Sequence, residues 1–422
     1  MSRPPAPRPS AQVRPIVLGG DIGAYATARA FHEAFGSRSV VVAGAATWPV
    51  RDSVIVDLRV VGDAEDAMSV SRLLPLLRAI VAEEPERTHV LLASADWLVG
   101  VAVAMRADLP GVVVPYADAA VVASVGDKAV VMAACERLGI PHPVTRVVTF
   151  AGDGERPALP ADAPYPAIAK FASTTLAHDV SYPGKAKVHR VADAAGLADL
   201  VARIAATGFG GELLVQEELP GGDASMAAVN VMVAADGSVR FAQLGRVLLE
   251  EHTPSALGNS VAQVTVDAST DTVARSAIDA VLRLLAELGW RGFANVDLMR
   301  GSDGTYRVLE VNPRVGRSGY APTASGYNVA RMYVQGWVSP EEGAAASGPE
   351  LGTREHLFVV VPLAIVRRYA PGARARVRQL RRRGAVTNPL YYRAERNPRR
   401  WLFIAVAMVN QVRKFRRYHP GA

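Results

Sequence analysis

The chain has 422 residues, half of them hydrophobic and 21% charged. That is enough apolar side chain for two or three packed domains and too much for wholesale disorder. The one cysteine, Cys135, excludes a disulfide framework and a cysteine-rich zinc site. The eight histidines show no pair at the spacing a metal-binding helix uses. No run reaches the ~18 apolar residues of a membrane span, and the N-terminus MSRPPAPRPSAQVRP lacks a signal-peptide core. The cytoplasm is the expected compartment. Residues 351–422 hold 17 Arg and Lys against Glu355 and Glu395, a balance of +15, so the rest of the +7 chain carries 7 − 15 = −8. A mildly acidic body with a basic tail differs from a uniformly basic nucleic-acid binder. Only five basic residues are lysine, and four of these (Lys128, Lys170, Lys185, Lys187) fall close together. A compact ammonium on a flexible stem suits phosphate oxygens.

In chain order, residues 1–14 are proline-rich and expected to be disordered. Strand-like Pro15–Leu18, Ser39–Ala43, His89–Ala93 and Val112–Pro115 then alternate with helical Ala24–Phe35, Met68–Glu84 and Asp96–Asp108. This alternation predicts a parallel sheet with helices on its faces, a Rossmann-like domain over residues 15–120. A helix is predicted at Asp127–Leu138, stopped by Gly139 and Pro141. Strands follow around Val144–Phe150, Pro166–Phe171 and Leu213–Glu217, with a helix at Ala194–Ala206. Residues 224–266 are strand-rich with a hairpin turn at Asp236-Gly237. A long amphipathic helix (Thr272–Leu288), a hairpin (Gly292–Met299 and Thr305–Val311, turning at Asp303-Gly304) and a helix at Tyr327–Trp337 complete a mixed unit over 121–340. The fold class is therefore α/β followed by α+β. A Gly/Ala/Ser linker spans 341–353, and the basic extension 354–422 holds strand-like Leu357–Val366, the run Arg374–Arg383 and the apolar stretch Trp401–Val409.

Three groups of residues carry chemistry. Gly19-Gly20-Asp21 follows the first strand, where backbone N–H groups at a helix start can meet an anionic substrate, although the turn serves equally as a tight Rossmann corner. Asp297 lies on one hairpin strand, and Glu310 and Asn312 lie two apart on the next, so both face one side. Two carboxylates and an amide oxygen are hard ligands of the kind that hold Mg²⁺ against nucleotide phosphates. Arg314 stands just beyond, behind Pro313, within reach of a phosphoryl or carboxylate group. The strand Leu214–Leu219 emerges at Gln216-Glu217-Glu218 into a glycine turn, an edge that can meet an adenine and ribose hydroxyls.

Together these residues resemble the ATP-grasp superfamily. Glu310-Val311-Asn312-Pro313-Arg314 with Arg317-Ser318 looks like its metal-binding strand and substrate turn, and Gly292–Asp297 like the preceding strand. Gly126-Asp127-Lys128 with Leu138–Pro141 resembles the opening helix, Pro166–Lys170 the strand with a phosphate-binding lysine, and Gln216-Glu217-Glu218 the adenine hinge. Val17–Ala30, Leu244–Asn259 and Gly316–Asn328 are most similar to the D-aspartate ligase branch. Phe171-Ala172 replace the proline usual after the lysine, and Ser173-Thr174-Thr175 with Gly184 stand where a glycine-rich loop is expected. The resemblance implies a pre-ATP-grasp domain over 15–120 and an ATP-grasp domain over 121–340, divided into subdomains 121–215 and 216–340.

It further implies an ATP-dependent carboxylate–amine ligase working through an acyl phosphate, with one or two Mg²⁺ ions, or Mn²⁺ in their place. Lys128 and Lys170 would bind the α- and β-phosphates, and Lys185 or Lys187 would sit on the loop closing over ATP. Asp297, Glu310 and Asn312 would hold the metal, and Arg314 the transferring phosphoryl. Arg246 and Arg317 would meet the substrate carboxylate or phosphates, and His252 the amine substrate, if it is not simply a loop hydrogen-bonder. The substrate is D-aspartate joined to a peptidoglycan-precursor amine, or another amino acid or peptide of secondary metabolism. From another class, a non-catalytic nucleotide binder stays open, and an oxidoreductase would need a ribose-binding acid. The basic tail fits either an interfacial helix on an anionic membrane at the inner face or a helix docked on the body. Charge alone also allows RNA, but no aromatic-rich recognition module accompanies it, so nucleic acid is not the expected partner; a homodimer fits the sequence. Cys135, His178, His189 and Trp290 are expected to be structural.

Overall fold

The computed structural model describes residues 12–173, 176, 180–254, 256–339 and 348–419. The proline-rich residues 1–11, Thr174, Thr175 and His178 of the expected phosphate loop region, and most of the 341–353 linker lie outside the described residues. Strands β1 (Val13–Leu18), β2 (Ser39–Ala43), β3 (Val56–Val60) and β4 (Thr88–Ala93) form a parallel sheet in the order β3-β2-β1-β4. The Val, Leu and Ile side chains of β1, β2 and β4 are sealed between helices, as a parallel sheet covered on both faces requires. Three expectations shift here. The first strand begins inside the expected tail, at Val13, because Arg14 is drawn in by Glu83, Glu84 and Asp57. β3, with its polar Asp57 and Arg59, lacks the apolar run that marks the other strands. Val112–Pro115 makes only a bridge, Val113 to Val90.

The middle of the chain forms an antiparallel sheet from β5 (Thr145–Ala151), β6 (Ala167–Phe171), β7 (His189–Val191) and β8 (Gly210–Glu217), ordered β5-β8-β6-β7. The largest sheet follows: β9 (Met226–Val233), β10 (Val239–Glu251), β11 (Asn259–Thr265), β12 (Gly292–Arg300) and β13 (Tyr306–Asn312). β14 (Glu350–Leu351), β15 (Leu357–Val359) and β16 (Val386–Thr387) join it, in the order β13-β12-β9-β10-β11-β15-β16 with β14 on β10. The helix Thr272–Glu287 starts at the Asp271 cap, whose carboxylate accepts from the Ala274 N–H, and buries Ala274, Ile278, Val281 and Leu285 at helical spacing.

The basic extension is stitched into the body. Leu357–Val366, expected as one strand, is β15 followed by the helix Leu363–Tyr369, and β14 occupies the end of the expected linker. The apolar stretch Trp401–Val409 belongs to the helix Pro398–Tyr418, which buries Arg400, Ile404, Met408, Gln411 and Phe415 along one stripe. The fully buried Arg400 donates to the Pro49 carbonyl (2.6 Å), lies 4.0 Å over the Tyr25 ring and faces Glu395 at 3.4 Å. Glu395 accepts from Tyr25 Oη, Ser53 Oγ and the Val54 N–H. Arg29 donates to the carbonyls of Asn388, Pro389 and Tyr391. Removing one partner of a buried ion pair leaves a charge without compensation. Glu395→Ala should therefore lower unfolding stability by about 3–5 kcal/mol, seen as an earlier midpoint in urea; a surface-like shift below about 0.5 kcal/mol would contradict the stitching.

Candidate active site

The hairpin β12–β13 sets the carboxylates. Its register pairs Arg300 with Tyr306 and Leu298 with Val308, then slips by one residue so that Asp297 faces Glu310 and Asn295 faces Asn312. The slip is a bulge at Leu309. Without it, Asp297 would lie opposite Leu309 and Glu310 would turn to the other face. The freed Leu309 carbonyl accepts from Lys170 Nζ at 3.4 Å, linking β6 to the hairpin. Lys128 opens the helix Lys128–Arg137, which is capped by Asp127, and its Nζ lies 3.5 Å from Glu310 Oε2. Asn312 Nδ2 donates to Asp297 Oδ2 at 3.0 Å and to the Asn295 carbonyl at 3.1 Å. Its oxygen faces Arg314 Nη2 at 3.5 Å. Arg314 is clamped from the first domain by Asp96, whose Oδ1 lies 2.7 Å from Nε.

Asp96, Lys128, Asn295, Asp297, Glu310, Asn312 and Arg314 line a cavity of about 760 Å³ together with Lys187, Glu250 and Arg317, whereas Lys170 lies outside its wall. Its electrostatics is set by partly buried charges of both signs packed close together. Burial, then Glu310, push the Asp297 carboxyl well above its usual range. Burial alone would do the same to Glu310, but Lys128, Lys170 and Lys187 outweigh it and hold Glu310 ionised far below its ordinary value. Burial, then Asp223 and Asp297, raise Glu250 to about 8. Two opposed, half-buried carboxylates with a neighbouring amide form an oxygen donor set that fits a divalent cation when Asn312 turns its oxygen inward.

Burial is the main cause of the lowering of Lys170 to about 8; Glu310 opposes it, and Lys128 and Lys187 add to it. Since its pKa is depressed on folding, this penalty on stability is fully present below about pH 8 and is relieved as pH rises towards 10.5. If Lys170 binds phosphate, affinity for ATP should weaken as pH rises through about 8, by up to about ten-fold per pH unit. Titration calorimetry with ATP across that range checks this, and Lys170→Arg, which stays charged, should flatten the profile. An unchanged slope in that variant would remove Lys170 from the phosphate contacts.

Other expected site residues stand elsewhere. Arg246 sits on the face of β10 opposite to Asp297, as the pairings Asp297–Ala228, Ala228–Gly245 and Ala227–Arg246 show. It binds Asp271 and Tyr306 Oη and lines a second cavity with His252. It does not line the first cavity, because strand alternation turns it to the other face. Gly19, Gly20 and Asp21 form a tight corner. Gly19 has φ +109° with Ser94 Oγ where a Cβ would be, and Asp21 accepts from the Ala24 N–H as a helix cap. None of the three lines the cavity. Gln216 is buried and donates to Thr145 Oγ1, Glu217 accepts from the Val144 N–H, and Glu218 pairs with Arg190. Lys185 donates to the Val180 carbonyl, whereas Lys187 lines the cavity. Asp96, Glu250 and Asn295 were not anticipated. A polar Asn295 within the apolar run Phe293–Val296 was a readable signal; an exposed-looking helix-start Asp96 was not.

No protein-family model matches the chain. It is 26% identical over 413 residues, 96% of each chain, to the D-aspartate ligase of Enterococcus faecium (strain Aus0004). Its fold matches the L-amino acid ligase from Bacillus licheniformis with TM-score 0.54 at 15% identity, covering 79% of this chain and 77% of that one. It also matches the biotin carboxylase domain of the Hydrogenobacter thermophilus 2-oxoglutarate carboxylase, solved with MgADP, with TM-score 0.58 at 13% identity over 79% and 71%. The chain has the ATP-grasp fold. β6 of the second sheet meets the β12–β13 hairpin of the third through Lys170 and the Leu309 carbonyl.

Proposed function

We propose that this chain is an ATP-dependent carboxylate–amine ligase, with D-aspartate or a related amino acid supplying the carboxylate. The observation that carries the proposal is Glu310, 3.5 Å from the Lys128 ammonium and facing Asp297 across the bulged hairpin. Carboxylates do not condense with amines at neutral pH. The carboxylate oxygen attacks the γ-phosphorus of ATP, giving an acyl phosphate and ADP. The amine then attacks the acyl carbon, loses a proton and expels phosphate, leaving an amide. No protein nucleophile is needed, so the chain's work is positioning and charge neutralisation.

Lys128, Lys170 and Lys187 neutralise the triphosphate. Asp297, Glu310 and Asn312 would hold Mg²⁺, which would screen the phosphate oxygens from the incoming carboxylate. Arg314, held by Asp96, is placed to grip the transferring phosphoryl, and Arg317, held by Glu251, to grip the substrate carboxylate. An ADP-release screen across L- and D-amino acids with candidate amine acceptors tests the reading. Amino-acid-dependent ADP release is the expected result; ATP binding without any release would make the chain a non-catalytic nucleotide binder.

Among the described residues no helix is long and apolar enough to cross a membrane. We also propose that the helix Pro398–Tyr418 touches an anionic lipid surface at the cytoplasmic face. Leu402, Val406 and Val409 are at least half exposed and recur at helical spacing on its outer side, with Arg413, Arg416 and Arg417 in its last turns. Salt-sensitive flotation with anionic vesicles, weakened by Leu402→Glu with Val406→Glu, is expected; no co-flotation at low salt would dismiss the contact.

A further inference from the structure

A second cavity, of about 950 Å³, lies against β10 and is also lined by the C-terminal extension. Three side chains from distant parts of the chain converge on its wall. Asp223 follows β8, His252 follows β10, and His419 ends the C-terminal helix. One ligand atom from each lies within 4.8 Å of the others. His252 Nε2 is 3.1 Å from both Asp223 oxygens, and the Glu250 N–H donates to Asp223 Oδ2 at 2.8 Å, which fixes the carboxylate. The His252 and His419 rings meet nearly edge-on, with centroids 4.8 Å apart, and the His419 ring is braced by Tyr369 at 4.6 Å.

We propose that Asp223, His252 and His419 bind a divalent transition metal of the zinc class, which fastens the end of the C-terminal helix to the loop after β10. Two imidazoles and a carboxylate are the donors such ions prefer, in contrast to the all-oxygen set at Asp297 and Glu310. Ligand atoms of a tetrahedral site with bonds of about 2.0–2.2 Å stand roughly 3.3–3.6 Å apart, so the observed spacing needs only a small closure. The cavity leaves room for water as a fourth ligand.

The consequence reaches the first cavity. Lys414, five residues before His419, lies 3.0 Å from Glu251, and Glu251 accepts from Arg317 at 3.3 Å. A metal that fixes the helix end thereby steadies the support of Arg317. Binding itself stands apart from the ligase reading, so its test does not use activity.

The experiment is calorimetric titration of Zn²⁺ into the full chain, stripped with chelator and held in saturating Mg²⁺ so that the oxygen site is filled. One saturable Zn²⁺ per chain is expected, with the same affinity in Glu310→Gln. His419→Ala should weaken it on the order of ten-fold or more, and Asp223→Asn serves as the second variant if that one fails to fold. Zn²⁺ should also raise the thermal midpoint of the parent and not of His419→Ala. Absence of a saturable site, or unchanged affinity in a folded variant of either kind, would overturn the proposal.

Discussion

Glu310→Ala is expected to abolish measurable ADP release while the protein keeps its fold. The side chain meets Lys128 at 3.5 Å and faces Asp297 across the bulged hairpin. On the proposed metal assignment, removing it would take one of two carboxylates from the cation set and leave Asp297 without its opposite ligand. It also unbalances the lysines that would meet the phosphates. Loss of one preorganised charge contact in a transition state costs about 3–4 kcal/mol, or 10²–10³ in rate, and a missing metal ligand adds to that. The core should tolerate the change, since Val308 and Val311 carry the packing of β13. Single-turnover ADP release beside a circular dichroism spectrum checks both halves. A folded variant with parental turnover would remove the metal assignment.

Arg314→Ala should lose at least 10²–10³ in the same assay. Arg314 lies on the cavity wall between Asp96 and the oxygen of Asn312, so its guanidinium is aimed before any ligand arrives. Preorganisation is what makes the contact worth more in the transition state than in the ground state. Turnover should fall with little change in ATP affinity. Arg314→Lys should recover little, because a point charge lacks the planar fork that pairs two oxygens at once. A two-fold effect in Arg314→Ala would exclude the role. Asp96→Ala, which only loosens the clamp, should have a smaller effect than either.

The local chemistry was legible because it depends on spacing. Glu310 and Asn312 two apart on a strand, a lysine at a capped helix start, and lysines clustered in an arginine-rich chain each carry their meaning within a few residues. Helix ends were legible for the same reason: Asp127 and Asp271 cap the helices that follow them. β3 was not, since a strand with alternating charges and one apolar face looks like loop when it is paired at a sheet edge.

Residue order alone determined where lysines, paired carboxylates and an amide stand close together, and roughly where most strands and helices begin, because capping, alternation and turn chemistry are short-range. Which face a side chain takes was decided only in three dimensions. The bulge at Leu309 turns Glu310 towards Asp297, and pairing across β9 and β10 turns Arg246 away. The fate of the basic tail was likewise decided there: Arg400 is swallowed beside Tyr25 and Glu395, and Lys414 and His419 reach the loop beside the cavities. Contacts between residues hundreds of positions apart depend on register and on burial of whole sheets, and no short window of the chain contains either.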